Sequence, residues 1–515
     1  MKKKIRLVLS VLLLYLLLLV LLVLAEKNSD SVIQTLEDAV WYSLVTVTTV
    51  GYGDVYPVTT AGKMVGVVFV LLGVGFFSTI IGVVISLLGG KLTGFILWKA
   101  RKKDWFIFSM RNDCSNAIAN QLKKEYPGAL FIFCNAENGA RGSGSNTLCI
   151  SGGVGDAVLR TGHAAGKRRA FFVSGDSRTN LEEAGLLSGQ EIEKYCLGDP
   201  YTEDGTIGFF EPCQNTARLY WKQHPLKSGE TTVLLIGDGA YAAAMLNTAV
   251  TVCCRQPFFQ TKLVAFGNWR EYRMDHYSLE SLFSSDPGEK ERDVLCFREN
   301  WNADPGLLFS ADRIILCGDS PEGNGILVDR LRNCFPLKAQ IYVRSGAGGD
   351  GPIGFGRFEE IFTGEMVMNR QLDRLSAAMH EHYIKSTGGG ISWERLNRFY
   401  KDSNRSVGDH MDTKIRLLTG QDLTIITRQE EERAAKLLAS ASPEMRDRMR
   451  RNEHERWCRF YALHNWTWAE TRDDAARRHP CMTSFDELDE KYAVTDDYVL
   501  DQIGCFAAER EKTAL

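Results

Sequence analysis

The chain has no Cys-x-x-Cys pair, no cysteine before Cys114, no marked excess of either charge and no stretch with arginine at every third position. Each absence excludes something. Without paired thiol ligands there is no zinc ribbon or dithiol redox centre, and the 13 cysteines read as reduced structural thiols of an intracellular body. With 61 lysines and arginines against 64 aspartates and glutamates, a net charge of −3 argues against general nucleic-acid affinity. Without an arginine ladder there is no voltage sensor. No nucleophile-and-base set and no metal cluster stands out, so catalytic and metal sites are expected to be absent. His380-Glu381-His382 is no exception, because near neighbours on a helix face different ways.

What the first hundred residues do have is length without charge. Residues 5–25 carry one charge, Arg6, after Lys2, Lys3 and Lys4; residues 64–90 carry none and are followed by Lys91 and by the basic stretch from Lys99 to Lys103. Both runs are long enough to cross a bilayer. The segment between them holds Glu26, Asp30, Glu37, Asp38 and Asp54. The lysine and arginine bias then predicts a multi-pass protein of the cell membrane with both termini cytoplasmic. A cleaved signal peptide is the competing reading of the first run, although its apolar part is longer than an ordinary signal core.

Between the two runs lies TVTTVGYGDVYP, residues 46–57. Thr35-Leu36-Glu37-Asp38 reads as a capped helix start, and the helix that follows is too short to cross the membrane. Non-helical backbone at membrane depth is tolerated where it lines a cavity, which is the re-entrant loop of a pore. Thr49-Val50-Gly51-Tyr52-Gly53, followed by Asp54, resembles the selectivity filter of potassium channels. The resemblance covers residues 46–54 and implies potassium as permeant ion and a homotetramer, since one chain supplies a quarter of such a filter. Gly51 and Gly53 suit it because carbonyls that face one axis need backbone conformations without a Cβ clash. Trp41 and Tyr42 are expected to brace Tyr52, with Asp54 at the outer mouth. In the second run, Gly73 or Gly75 is a candidate gating hinge, with close helix packing as the alternative.

Beyond the basic stretch the pattern changes to short apolar strands alternating with helices. Residues 105–110, 116–126 and 129–134 form a βαβ unit, continued by residues 169–174. From Thr231 the order restarts, with residues 232–236, the turn Gly237-Asp238-Gly239-Ala240-Tyr241-Ala242, a helix, and residues 262–266. Residues 314–319, ending in Asp319, mirror 171–176. Two doubly wound, Rossmann-like α/β domains in tandem are predicted. Their placement resembles the cytosolic domains that regulate potassium conductance. Gly237, Gly239 and Ala242 follow the phosphate-binding G-x-G-x-x-G/A form, yet Gly267-Asn268-Trp269 offers no acid for a ribose, and Arg111-Asn112-Asp113-Cys114-Ser115 replaces the glycines in the first domain. A purely structural turn therefore stays open. The glycine-rich stretches 139–155 and 346–356 read as loops.

Ser386-Thr387-Gly388-Gly389-Gly390 reads as a linker. Beyond it, residues 393–406 and 452–468, with His454 and Trp457 on a helix and an Asn465-Trp466 turn, resemble the ryanodine-receptor repeat of bacterial proteins. Trp457, Tyr461 and His454, with Arg405, Arg456, Arg459 and Trp466, make a candidate site for a phosphorylated, base-bearing ligand, against the plainer reading of a small helical core.

The expected architecture is a two-span α-helical pore domain over residues 1–98, Rossmann-like domains over 104–228 and 229–385, and a small α-helical domain over 391–515. The expected function is a potassium-selective channel gated by a nucleotide-like intracellular ligand and not an enzyme. A messenger-activated defence pore is the alternative, and a membrane-anchored nucleotide-using enzyme a weaker one. Calcium finds no cluster with the oxygen count it wants.

Overall fold

The computed structural model describes residues 2–27, 29–71, 97–135, 146–159, 165–198, 206–344, 351–508 and 510. The chain divides into two compact units, Met1–Arg101 and Lys102–Leu515.

In the first unit, a helix Lys2–Glu26 is followed by a short helix Leu36–Val47 and by a third that begins at residue 60. Leu18, Leu19 and Leu22 of the first helix meet Ile33, Ala39 and Phe69 in a small core. Glu26 ends the first helix and caps the third, accepting from the Val58 and Thr59 backbone N–H groups at 3.0 and 3.1 Å and from the Thr59 hydroxyl at 2.6 Å. Side chains of the first helix are described from Leu13 onward, and residues 72–90 of the second apolar run lie outside the described residues. Among the described residues no helix is long and apolar enough to cross a membrane. The hinge candidates Gly73 and Gly75 also lie outside them.

The second unit holds two six-stranded parallel sheets. The first orders its strands β3-β2-β1-β4-β5-β6, with β1 Trp105–Phe108, β2 Leu130–Phe133, β3 Thr147–Cys149, β4 Arg168–Phe172, β5 Glu193–Leu197 and β6 Ile207–Phe210. The second runs β12-β11-β10-β7-β8-β9, with β7 Thr232–Ile236, β8 Lys262–Phe266, β9 Val294–Arg298, β10 Arg313–Leu316, β11 Gln340–Arg344 and β12 Ile353–Phe355. Read outward from its first strand, each has the dinucleotide-binding order, with a crevice where the strand order reverses, between β1 and β4 and between β7 and β10. Helices cover both faces, so β1 and β2 are buried throughout and read as unbroken apolar runs, while β7 and β10 continue as apolar buried runs after Thr232 and Arg313. The two glycine-rich stretches expected to be loops each hold an edge strand, β3 and β12. At three residues each, with a glycine inside β12, these carry too little apolar sequence to be recognised.

Two segments depart from the expected succession of domains. Ile361, Phe362, Met366 and Leu372, which follow the second sheet in sequence, pack into the core of the first. The helix Arg374–Thr387 precedes the glycine linker yet puts Met379 into the C-terminal helical core with Met411, Ile415 and Leu438. That helical body comprises Arg398–Thr419, Arg428–Ala439, Pro443–Leu463 and Glu490–Asp501 as its main helices. Its Ala462 and Leu463 join the core of the second sheet.

Candidate pore and ligand sites

The Leu36–Val47 helix starts on a reciprocal cap: the Asp38 backbone N–H donates to the Thr35 hydroxyl at 3.2 Å, and the Thr35 N–H donates to the Asp38 carboxylate at 2.9 Å. Its C-terminus, the negative end of the dipole, leads into residues 48–54. There φ is positive at every second residue, Thr49 at 59°, Gly51 at 58° and Gly53 at 76°. Alternating handedness is a backbone pattern in which successive carbonyls can face one side of the chain. For Thr49, a β-branched residue, this conformation is an outlier that the surroundings must impose. The Thr49, Val50 and Gly51 N–H groups donate back to Thr46 and Val45 carbonyls at 3.0, 3.1 and 3.3 Å and hold the turn in place. Trp41 stacks on Tyr52, with centroids 6.1 Å apart, and donates from Nε1 to Asp54 Oδ2 at 3.0 Å. Tyr42, expected beside it, packs instead edge-on against Phe69. Tyr15 of the first helix bonds Ser43 at 2.6 Å.

The Gly237–Ala242 turn has the predicted glycine geometry and an unpredicted occupant. Gly237 and Gly239 hold φ at 142° and 89°, and Ala242 is fully buried where the helix Ala240–Val252 meets the sheet. The Asp319 carboxylate accepts the Ala240 and Tyr241 N–H groups at 3.1 and 3.0 Å. A Cβ on Gly239 would stand 2.3 Å from it. The chain's own carboxylate thus sits where a pyrophosphate would. Asp238 accepts from the Asn268 N–H at 3.2 Å. In the first domain Asn112 caps the helix Asp113–Glu125 through the Ser115 N–H at 2.8 Å, so that turn too is satisfied internally.

The remaining candidates divide between three places. Trp457 and Tyr461, one helical turn apart, stack at 4.0 Å between centroids, and Trp466 and His479 close around Tyr461 at 5.1 and 5.7 Å. His454 stacks on Trp457 and bonds the Thr483 carbonyl through Nε2 at 2.9 Å. Burial lowers the affinity of His454 and His479 for a proton and pushes the Tyr461 phenol up to about 12. Arg472 lies over Trp466 at 5.9 Å. Arg459 is a correction: two residues from Trp457, it points round the helix to Asp293 at 2.7 Å and Glu455 at 3.0 Å, buried against the second α/β domain. Arg456 likewise turns inward to Glu453 at 2.7 Å. Arg405 is engaged by Asp373 and Asp402 at 2.7 and 2.9 Å and faces a separate, solvent-open cleft. Arg370, Arg398 and Lys401 also line that cleft; Arg398 and Lys401 share the helix of Arg405, within residues 393–406, whereas Arg370 comes from the connector after β12, which sequence spacing could not have brought to them. Among the described residues no group of acids, histidines and cysteines is placed to hold a metal.

Residues 7–89 match the sequence family described as Ion channel. Residues 434–504 match the family described as RyR domain, which encloses the Trp457 cluster up to His479 and Met482. A voltage-gated potassium channel of Aeropyrum pernix is 40% identical over 67 residues, 13% of this chain and 23% of that protein. The human potassium voltage-gated channel subfamily A member 6 is 42% identical over 59 residues, 12% of this chain and 11% of its own. The chain thus spans less than a quarter of the length of these relatives, which are channels and not enzymes. Among solved structures, the GsuK channel bound to ADP covers 72% of this chain and 100% of its own at 13% identity and a TM-score of 0.33. The GsuK channel bound to NAD covers 73% and 86% at 12% identity and the same score. Likenesses of that degree carry no argument about function.

Proposed function

We propose that four copies of this chain form a potassium-selective membrane pore, opened or closed by a phosphorylated, nucleotide-like ligand at the cytosolic α/β and helical domains. The observation that carries the pore is the alternation of positive φ at Thr49, Gly51 and Gly53 directly after a short capped helix. It falls inside the stretch that matches the ion channel family, and the curated relatives that the chain matches are potassium channels. Thr49 to Gly53 supply the carbonyls; Trp41 and Asp54 fix the outer end through their bond. The lysines at 2–4 and 99–103 lie on the cytoplasmic side of a multi-pass arrangement.

For gating, the aromatic cluster of Trp457, Tyr461, Trp466 and His479 offers stacking faces to a base. A ligand shifts a pore only by binding one arrangement better than the other, and about 5.5 kcal/mol of differential binding carries a population from mostly closed to mostly open. Four equivalent sites share that energy.

The test is reconstitution in planar bilayers with potassium on one side and sodium on the other. The expected reversal potential lies near the potassium equilibrium value, and mass measurement in detergent is expected to find four chains. Equal permeability to the two ions, or a stable monomer, contradicts the proposal.

A further inference from the structure

We infer that the cleft between the carboxyl end of β6 and the helix Arg398–Thr419 binds the phosphate groups of a small soluble metabolite carrying at least two negative charges. This rests on the reading that a phosphorylated ligand regulates the chain, and it supplies the place where the phosphates sit.

The other two candidate places leave the phosphates without a seat. At the Gly237–Ala242 turn, Asp319 already takes the Ala240 and Tyr241 N–H groups. Around Trp457 the neighbouring arginines of the helix, Arg456 and Arg459, turn inward to Glu453 and Asp293. The cleft has the opposite character. Four cationic side chains, Arg370, Arg398, Lys401 and Arg405, line it against two carboxylates, Glu211 and Asp373. Asp373 is consumed by Arg218 and Arg405 at 2.5 and 2.7 Å. The cleft opens to solvent, and its enclosed part, about 40 Å³, has room for a few water-sized groups. It opens beyond the ends of β5 and β6, the side of a parallel sheet on which α/β proteins bind ligands.

The cations differ in how tightly they are held. Arg405 is fixed by two carboxylates and serves as scaffold. Arg398 reaches Glu211 at 3.8 Å and Asp402 at 3.4 Å. Lys401 donates to the Glu394 carbonyl at 3.2 Å. Arg370 makes one bond, to the Ile207 carbonyl at 3.3 Å, and no ion pair among the described residues. Its backbone is in the left-handed region, φ 45° and ψ 51°. Glycine takes that conformation freely, whereas an L-residue there costs roughly 1–2 kcal/mol. A guanidinium delivered to the cleft wall gives the strain a purpose. Phe209 beside it adds an apolar face to the same hollow.

The experiment uses the full chain in lipid nanodiscs and inorganic pyrophosphate as probe, followed by isothermal titration calorimetry. Saturable binding at one site per chain is expected, weakened at least tenfold in Arg370→Gly and in Lys401→Gln and unchanged in Lys385→Gln, which removes one exposed positive charge elsewhere. Arg370→Gly relieves the backbone strain, so its melting temperature is expected to equal or exceed that of the wild type, and weaker binding then reports the lost guanidinium. Absence of saturable pyrophosphate binding overturns the inference; so does binding that both cleft variants leave intact. Because binding is read without ion flux, pyrophosphate binding that follows these expectations while potassium conductance ignores every nucleotide upholds the cleft and refutes the gating reading.

Discussion

Gly51 holds φ at 58° with nothing within 4 Å of where a Cβ would stand in its own chain. Space is therefore not what demands glycine here. The demand is conformational: an L-residue forced into the left-handed region costs roughly 1–2 kcal/mol, and in a fourfold pore that cost recurs in every chain. Gly51→Ala is expected to abolish potassium conduction while the chain still assembles, because the carbonyl row tilts before the rest of the unit is disturbed. Single-channel recording beside a mass measurement checks both halves, and wild-type conductance in the variant would remove the filter assignment. Thr49 shows the limit of residue-level reading. Its type fits the resemblance to a filter, yet its own positive φ is not legible from sequence, since a β-branched residue does not announce one.

At the scale of elements, the strongly patterned segments were readable from sequence and the weakly patterned ones were not. The Thr35 cap, the buried strands β1, β4, β7 and β8 and the βα turn at Gly237 all follow from local chemistry. The occupant of that turn did not, because Asp319 lies about eighty residues downstream and only the crossover of β10 beside β7 brings it there. The same holds where helices pack on helices. Asp496, on Glu490–Asp501, is buried against Glu453, Arg456 and His454 of Pro443–Leu463 and Lys414 of Arg398–Thr419, with Asp497 on its own helix. Burial and the Glu453 carboxylate push its proton affinity up to about 8. An acid raised in the folded state keeps a proton that the unfolded chain has released, so its contribution is full below about pH 4 and is lost as pH rises through about 8. Histidines lowered by burial, His410 and His454 among them, slope the other way below about pH 6.5. Comparing Asp496→Asn with wild type cancels them. The variant is expected to gain stability relative to wild type between about pH 4 and pH 8, by at most about 1.4 kcal/mol per pH unit. Thermal melts across that range test it, and a pH-independent difference would contradict the assignment.

At the scale of the whole second unit, what the sequence concealed is how its three bodies are tied. The connector after β12 doubles back to the first sheet's core before entering the helical body, and at its end stands Asp373. Burial opposes the Asp373 charge, but the Arg405 and Arg218 guanidinium groups outweigh it and hold the carboxyl far below the usual range. Arg218 comes from the last helix of the first α/β domain, Pro212–Gln223, and bonds Asp409 as well; Arg405 comes from the helical body and bonds Asp402. One carboxylate thus joins a domain, a connector and a second domain, and a ligand in the adjoining cleft would meet all three. Removing one partner of a buried pair costs about 3–5 kcal/mol because a charge is left without its counter-ion. Here Arg218 keeps Asp409 and Arg405 keeps Asp402, so Asp373→Ala is expected near the lower end, about 3 kcal/mol. The loss is expected to appear as faster hydrogen exchange in Pro212–Gln223 and Arg398–Thr419, with the central strands of both sheets unchanged. Acid acts in the same direction, since stability held by a depressed carboxyl is present above about pH 4 and is lost as pH falls through the folded value. Uniform acceleration over the whole unit would mean that Asp373 supports the fold at large. Acceleration confined to those two helices would mean that it holds the domains to each other, which is the property a ligand needs if its binding is to move one against the next.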